Sequence, residues 1–117
     1  NVKTSFGGGE DLQIYHDGNH SWVRDTGTGN LYLGSDGFAV NIVKGENTET
    51  IAEFIPDGAV KLYYDNSKKF ETTSSGVAVT GGLTTTSTVV LSNLPTSDPS
   101  NAGQLWNDSG TLKVSAG

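Results

Sequence analysis

The sequence predicts an all-β protein built from short strands that are joined by Gly- and Asp-containing turns. Apolar and polar residues alternate with a period of two, so that Val60, Leu62 and Tyr64 fall on one face of the run 59–64. This is the spacing that a strand with one buried face requires, whereas a helix would bury a different set. Turn formers such as Asp57-Gly58 separate the runs and keep each strand short. No segment has a convincing helical pattern.

The composition predicts that one chain alone has a lean core. The chain has 117 residues, of which 33% are hydrophobic and 16 are glycine. Small domains usually supplement a weak core with disulfides, metals or association. Because the sequence has no cysteine, disulfides are excluded and association or a metal remains.

The charge pattern excludes several classes of function. The net charge is -6, and the seven Lys and Arg residues form no basic stripe, which argues against nucleic-acid binding. No apolar run approaches the roughly 18 residues of a membrane span, so no membrane insertion is expected. A chain that lacks Met and starts at Asn1 is expected to be a piece of a longer protein, so its ends give no localisation.

Changes in amino-acid composition divide the chain into three segments. Residues 1–11 end in a glycine-rich stretch and are predicted to be a flexible leading segment. Residues 12–82 are predicted to be a repetitive β module, since its turn glycines 18, 37, 58 and 76 lie 19, 21 and 18 residues apart. A unit of about 20 residues cannot bury its apolar face alone, so neighbouring coils or other copies must cover it.

Within the module, alternation predicts one short strand per run. The segment 44–50 has no apolar residue and is predicted to be an exposed loop. Apolar residues of the second half are predicted to point inward and charged ones outward. The predicted strands are 12–16, 21–25, 30–34, the run from Phe38 to Ile42, 51–55, 59–64 and the runs around Phe70 and Val77. The predicted inward residues are Val60, Leu62, Phe70, Val77 and Val79, and the outward ones are Lys61, Lys68 and Glu71.

Residues 83–117 are predicted to hold a Thr/Val strand, a loop and a hairpin. The β-prone run Thr84 to Leu91 predicts one longer strand. Residues 92–103 form the loop, because prolines cannot donate to a ladder. The runs 104–107 and 111–115 flank Asp108-Ser109-Gly110, which predicts a C-terminal β-hairpin that caps the end of the chain.

Metal binding and catalysis find little support. His16 and His20 are separated by turn residues, so a helical metal pair is excluded. In a trimer, a threefold axis would bring three copies of His16 into one axial ring, a candidate metal site, although a packed or solvent-bonded histidine is the ordinary interpretation. The stretch from Gly7 to Tyr15 has only one partial calcium-binding nonapeptide. No nucleophile motif, paired acid and base or phosphate loop occurs, so we expect no enzyme activity and no cofactor. The acidic residues, Glu53 among them, are expected to lie in turns or on exposed faces as solvated charges.

Exposed aromatic residues are the remaining candidates for ligand contact. Aromatic rings can stack on sugars, but packing on outer strand faces or between chains is the competing interpretation. These candidate residues are Trp22, Tyr32, Tyr63 and Trp106.

Three stretches carry a resemblance to a known class of protein. DLQIYHDG, YYDNSKKFETTSSGVAVTGG and GQLWNDSGTLKVS closely resemble repeat modules in the tail fibres and other virion appendages of marine tailed bacteriophages. The resemblance covers most of residues 6–117. It implies an intertwined homotrimeric β-helix or β-prism fibre with a structural role in host attachment, located in the virion beside other appendage proteins.

Two alternatives stay open at this point. One is a glycan- or receptor-binding module of the same appendage, which would use the exposed loop 44–50 or the segment 92–103. The other is a monomeric β-sandwich adhesin, which would also accommodate about ten short strands.

Overall fold

The structure, a computed structural model, describes residues 2–117 and contains ten β-strands in three antiparallel sheets. The described residues contain no helix, which confirms the all-β prediction, and hence none long and apolar enough to cross a membrane. The chain forms two compact units, Asn1–Gly81 and Gly82–Gly117. The strands are β1 Lys3–Phe6, β2 Leu12–His16, β3 Ser21–Asp25, β4 Val40–Lys44, β5 Glu49–Phe54, β6 Val60–Tyr64, β7 Ser67–Thr73, β8 Gly76–Val79, β9 Leu105–Asp108 and β10 Thr111–Val114.

A three-stranded sheet with the order β1-β2-β3 opens the first unit. Its strands β2 and β3 have the predicted bounds. The strand β1 lies in the segment predicted to be flexible, so that prediction is wrong for Lys3–Phe6, which pairs along its whole length with β2. Four residues with one aromatic are too few for a pattern of alternation, and pairing with a neighbour decides the conformation instead.

A five-stranded meander with the order β4-β5-β6-β7-β8 forms the rest of the first unit. Tight turns connect its strands. At the β6–β7 connection, Asp65 and Asn66 both have positive φ, 48° and 57°, which is the backbone that a two-residue hairpin turn requires. The Asn66 side chain also accepts a hydrogen bond from the Thr50 amide at 2.9 Å, so this turn is tied to β5.

The predicted exposed loop 44–50 is largely a hairpin turn. Lys44 pairs with Glu49 at the ends of β4 and β5, so only residues 45–48 lie outside the ladder. The Thr48 amide donates to the Lys44 carbonyl at 3.1 Å, and Gly45 and Asn47 take positive φ to close the turn. The lack of apolar residues correctly located the exposed connection between two strands. The pairing of β4 with β5 extends further into the segment 44–50 than this lack predicts.

Two predicted strands are absent from the described residues. Residues 30–34 are not in a strand, and neither are residues 84–91. The sequence predicts a strand that begins at Phe38, but β4 starts at Val40, so Phe38 lies outside the strand. The local sequence of each segment suits a strand, but a strand needs a ladder partner, and none is paired with these segments.

The two sheets of the first unit do not pack face to face. Apolar residues of both sheets remain largely exposed: Ile14 and Val23 in the first sheet are 47% and 56% exposed, and Leu62 in the larger sheet is 44% exposed. A β-sandwich needs two sheets with interdigitating inner faces, and the described part of the first unit has no such pair.

The second unit contains the predicted C-terminal hairpin, with β9 antiparallel to β10. Its two-residue turn, Ser109-Gly110, has positive φ at both positions, 53° and 96°. Ser115 follows β10 and is buried, with 2% of its surface exposed. Its hydroxyl donates to the Asp98 carboxylate at 2.5 Å and accepts from the Asn101 amide at 3.2 Å. This hydroxyl therefore fastens the loop 92–103 to the hairpin.

Removing the Ser115 hydroxyl tests that role. Ser115→Ala leaves the Asn101 amide without this acceptor and takes away the donor to Asp98, so we expect a loss of about 1–3 kcal/mol in the free energy of unfolding. Urea titration measures the loss by Trp106 fluorescence in a Trp22→Phe background, which leaves Trp106 as the one tryptophan of the chain. Ser97→Ala, in the same loop but exposed, is the matched control and should change stability by less than about 0.5 kcal/mol. Equal effects in both variants would contradict this assignment.

Candidate functional site: an uncovered apolar sheet face

The most distinctive feature of the structure is a row of apolar residues that crosses all five strands of the larger sheet. Directly paired residues in antiparallel strands project from the same face. The register joins one residue from each strand into this row. From β4 to β8 its members are Ile42, Ala52, Leu62, Phe70 and Val79.

A second row extends the same face by two positions along each strand; it is apolar in four strands and polar in β7, where Thr72 pairs with Val77. Val40, Phe54 and Val60 are paired in turn, and Val77 projects from the same face in β8 because it lies two residues from Val79. We call the two rows together the apolar face. Its members are Val40, Ile42, Ala52, Phe54, Val60, Leu62, Phe70, Val77 and Val79.

The predicted inward residues therefore do share one face, as the alternation indicates. In the described part of the first unit Leu33 lies beside Val40, Ile42 and Phe54 at one end of this face, but no second sheet covers it. Ala52 is the only buried apolar residue among residues 2–117, with 4% exposure. Five other members of the apolar face, Phe54, Ile42, Leu62, Val77 and Val79, are between 41% and 56% exposed. Completing their burial would contribute about 1 kcal/mol each, or about 5 kcal/mol per chain.

The opposite face of the same sheet is held by a charged network. Glu53 Oε2 accepts from the Tyr63 hydroxyl at 2.7 Å and from the Lys61 ammonium at 3.1 Å. Lys68 and Glu71 form a further ion pair on this face. Lys61, Lys68 and Glu71 thus lie opposite the apolar face, as predicted, but each is partly buried and paired. Glu53, expected to serve only as a solvated surface charge, is the acceptor at the centre of this network.

The network shifts three ionisation equilibria. Hydrogen bonds from Tyr63 and Lys61 lower the pKa of Glu53, because they favour its charged form. The same hydrogen bonds to Glu53 raise the pKa of Lys61 and the pKa of Tyr63, since each favours the protonated partner. The polar face is therefore most stable where Glu53 is ionised and its two partners are protonated.

The four aromatic candidates have different environments. Tyr63 belongs to the network just described, and Tyr32 is 84% exposed in the segment between β3 and β4. Trp106, on β9, has Lys113 5.3 Å from its ring centroid, and its buried indole nitrogen has no hydrogen-bond partner among the described residues. The candidates do not share one binding surface in the first unit, since Trp22 and Tyr63 belong to different sheets.

Trp22 has the most ordered surroundings of the four. Its indole nitrogen donates to Asp17 Oδ2 at 2.7 Å, and its ring stacks on Tyr15 at a centroid distance of 6.3 Å. Asp17 also accepts from the amides of Asn19 and His20, and these bonds lower the pKa of Asp17. The indole is thus fixed with 42% of the Trp22 surface exposed, an arrangement able to stack against a flat apolar surface.

Metal binding gains no support from the geometry. His16 is exposed at the end of β2, with Nδ1 3.3 Å from the Ser21 hydroxyl. Within the described part of the chain, no three His, Asp or Glu side chains are grouped to hold a metal ion. The carboxylate of Asp11, in the partial nonapeptide, lies against the loop of Gly7 and Gly9.

Comparison of the chain with protein-family models, with curated proteins and with solved structures gave no match. The function must therefore be argued from the residues and the fold.

Truncation of Leu62 tests whether the apolar face is covered in solution. If another chain covers it, Leu62→Ala leaves a cavity and should lower the free energy of unfolding by about 2–5 kcal/mol per chain. The matched control is Asn41→Ala, an exposed residue on the opposite face of β4, which should cost less than about 0.5 kcal/mol. Guanidinium unfolding of the two variants measures both values. Similar small losses would mean that Leu62 stays in water.

The charged network predicts a pH dependence. Because the pKa of Glu53 is lowered, its contribution is present above the ordinary value of 4.5 and is lost as pH falls through its lower value in the folded state. The contributions of Lys61 and Tyr63, whose pKa values are raised, are lost at alkaline pH. We expect Glu53→Gln to lower the melting temperature at pH 7 and to differ much less from wild type near pH 3. Glu46→Gln, in the exposed β4–β5 turn, is the control; an equal effect of Glu53→Gln at both pH values would contradict the assignment.

Proposed function

We propose that this chain is a structural module of a homotrimeric β-structured fibre or spike, of the kind that tailed bacteriophages carry for host attachment. The observation that carries the proposal is the uncovered apolar face. A face of nine residues across five strands is stable only when it is removed from water, and the described part of the first unit has no second layer to cover it. Copies of the same chain are the simplest cover.

The motifs quoted above favour three copies. Their resemblance to repeat modules of virion appendages implies a threefold axis, around which each apolar face would meet the other two. The lack of cysteine fits an assembly held by burial rather than by disulfides. In this arrangement the polar network of Glu53 and Lys61 faces outward.

The proposed role is non-enzymatic and belongs to the virion. The half-buried carboxylates of the larger sheet are all engaged in ion pairs and so serve structure; they are Glu49, Glu53 and Glu71. The β module of residues 12–82 would form the rod, and the C-terminal hairpin would cap it. Neighbouring appendage proteins and a host surface are the expected partners.

The molar mass of the protein in solution tests this proposal. Light scattering at micromolar concentration should return three times the 12.2 kDa chain mass, about 36.6 kDa. Ile42→Asp, which puts a charge in the centre of the apolar face, should shift the protein toward the single-chain mass. The neighbouring substitution Asn41→Asp, on the opposite face, should leave the trimer intact. A wild-type protein with the mass of one chain would refute the trimer.

A further inference from the structure

We propose that residues 84–91 of one copy add as a strand to the open edge of β8 in a neighbouring copy. We call residues 84–91 the donor segment and the outer edge of β8 the acceptor edge. This inference rests on the proposed assembly and specifies how the copies are joined. It is carried by the backbone of β8 and by the sequence and exposure of the donor segment.

The acceptor edge presents unpaired backbone groups. The Thr80 amide donates to the Lys69 carbonyl at 2.9 Å, one position beyond the pair Phe70 and Val79. Hydrogen-bonded and non-hydrogen-bonded pairs alternate along an antiparallel ladder. The amide and carbonyl groups of Val77 and Val79 therefore point away from β7, toward the side where β8 has no neighbour in its sheet among the described residues.

The acceptor edge also lacks the features that prevent strand addition. Proteins protect exposed sheet edges with charged residues, proline or bulges. β8 has the sequence Gly-Val-Ala-Val, all four residues are exposed, and its pairing with β7 is regular. By contrast, β4 at the other edge of the sheet contains Lys44 and a register shift beside Val43. Of the two edges of this sheet in the described structure, β8 is thus the unprotected one.

The donor segment has the composition of a strand but no partner among residues 2–117. Its sequence, Thr-Thr-Thr-Ser-Thr-Val-Val-Leu, is rich in β-branched residues, yet it is not in a strand and every residue in it is exposed. Val89 and Val90 are 57% and 76% exposed. Consecutive apolar residues suit a strand that is covered on both faces, which an assembly provides and a single chain does not.

Each copy therefore offers one donor and one acceptor, and this equality identifies the occupant as a second copy of the chain. An interface between different surfaces of identical chains is heterologous and forms a closed ring when its rotation closes. Three such contacts around a threefold axis would use every donor and every acceptor edge. The added strand would also enlarge each sheet next to the apolar face.

Cross-linking between copies through introduced cysteines tests strand donation. The chain has no cysteine of its own, so only the introduced thiols can be linked. Ala78→Cys on the acceptor edge and Ser87→Cys in the donor segment are made in separate full-length chains, which are refolded together and treated with a short bismaleimide. Mass spectrometry should show the peptide that carries position 78 linked to the peptide that carries position 87. This link should be at least about ten times more frequent than the one formed with the control donor Ser97→Cys in the loop 92–103.

The outcomes separate this inference from the proposed function. A trimeric mass with cross-links no more frequent than in the control refutes strand donation and leaves the fibre proposal standing. A single-chain mass without cross-links refutes both. A chain with both substitutions that links only within itself shows that the donor segment folds back on its own edge, which also overturns the inference.

Hydrogen exchange on the wild-type protein gives a second test that needs no variant. In the assembled protein, the amides of Val77, Val79 and every second residue of the donor segment should exchange roughly 100-fold more slowly than the exposed amides of the loop 92–103. Exchange at the same rate as that loop would overturn strand donation even if the variants made for cross-linking failed to fold.

Discussion

The larger sheet depends on one requirement: its apolar face has to be removed from water, and the described part of the first unit does not do so. A sheet that is apolar on one face gains stability only when something packs against that face. The hydrogen-bonded ladder, the tight turns and the ion pairs of the opposite face shape the sheet, but they bury little apolar surface. In the assembly proposed above, the remaining parts of this core would come from other copies of the chain.

The two faces also determine which side of the sheet is suited to contact with another chain. Glu53, Lys61 and Tyr63 satisfy one another on the polar face, so this face is stable in contact with water. If the polar face were buried instead, three ionisable groups would lose their contact with water and the apolar rows would stay exposed. Both changes are unfavourable. The sequence alternation thus encodes an orientation for the sheet as well as its register, since a shift by one residue would exchange the faces.

Period-two alternation predicted the all-β class, the bounds of β2 and β3, and the shared face of Leu62, Phe70 and Val79, because these depend on local geometry. It did not predict that the face is uncovered, since alternation does not reveal what lies opposite. The absence of strands at 30–34 and 84–91 has the same cause: propensity is local, whereas a ladder needs a partner. Glu53 was misjudged because its partners, Lys61 and Tyr63, are brought beside it only by pairing of β5 with β6.

The meander has a consequence for how the protein forms. Every strand of the larger sheet pairs with the strand next to it in sequence, so the contacts are local and the contact order is low. Hairpins of this kind form within microseconds, far sooner than chains at micromolar concentration meet. If the chains assemble as proposed, collision between them should dominate the kinetics of maturation, and the unassembled species is a chain whose hairpins form and open while its apolar face is still in water. Dilution would slow the assembly of such chains. A high local concentration of chains, on the ribosome or at the site of assembly, would shorten the time in which an unassembled chain can aggregate.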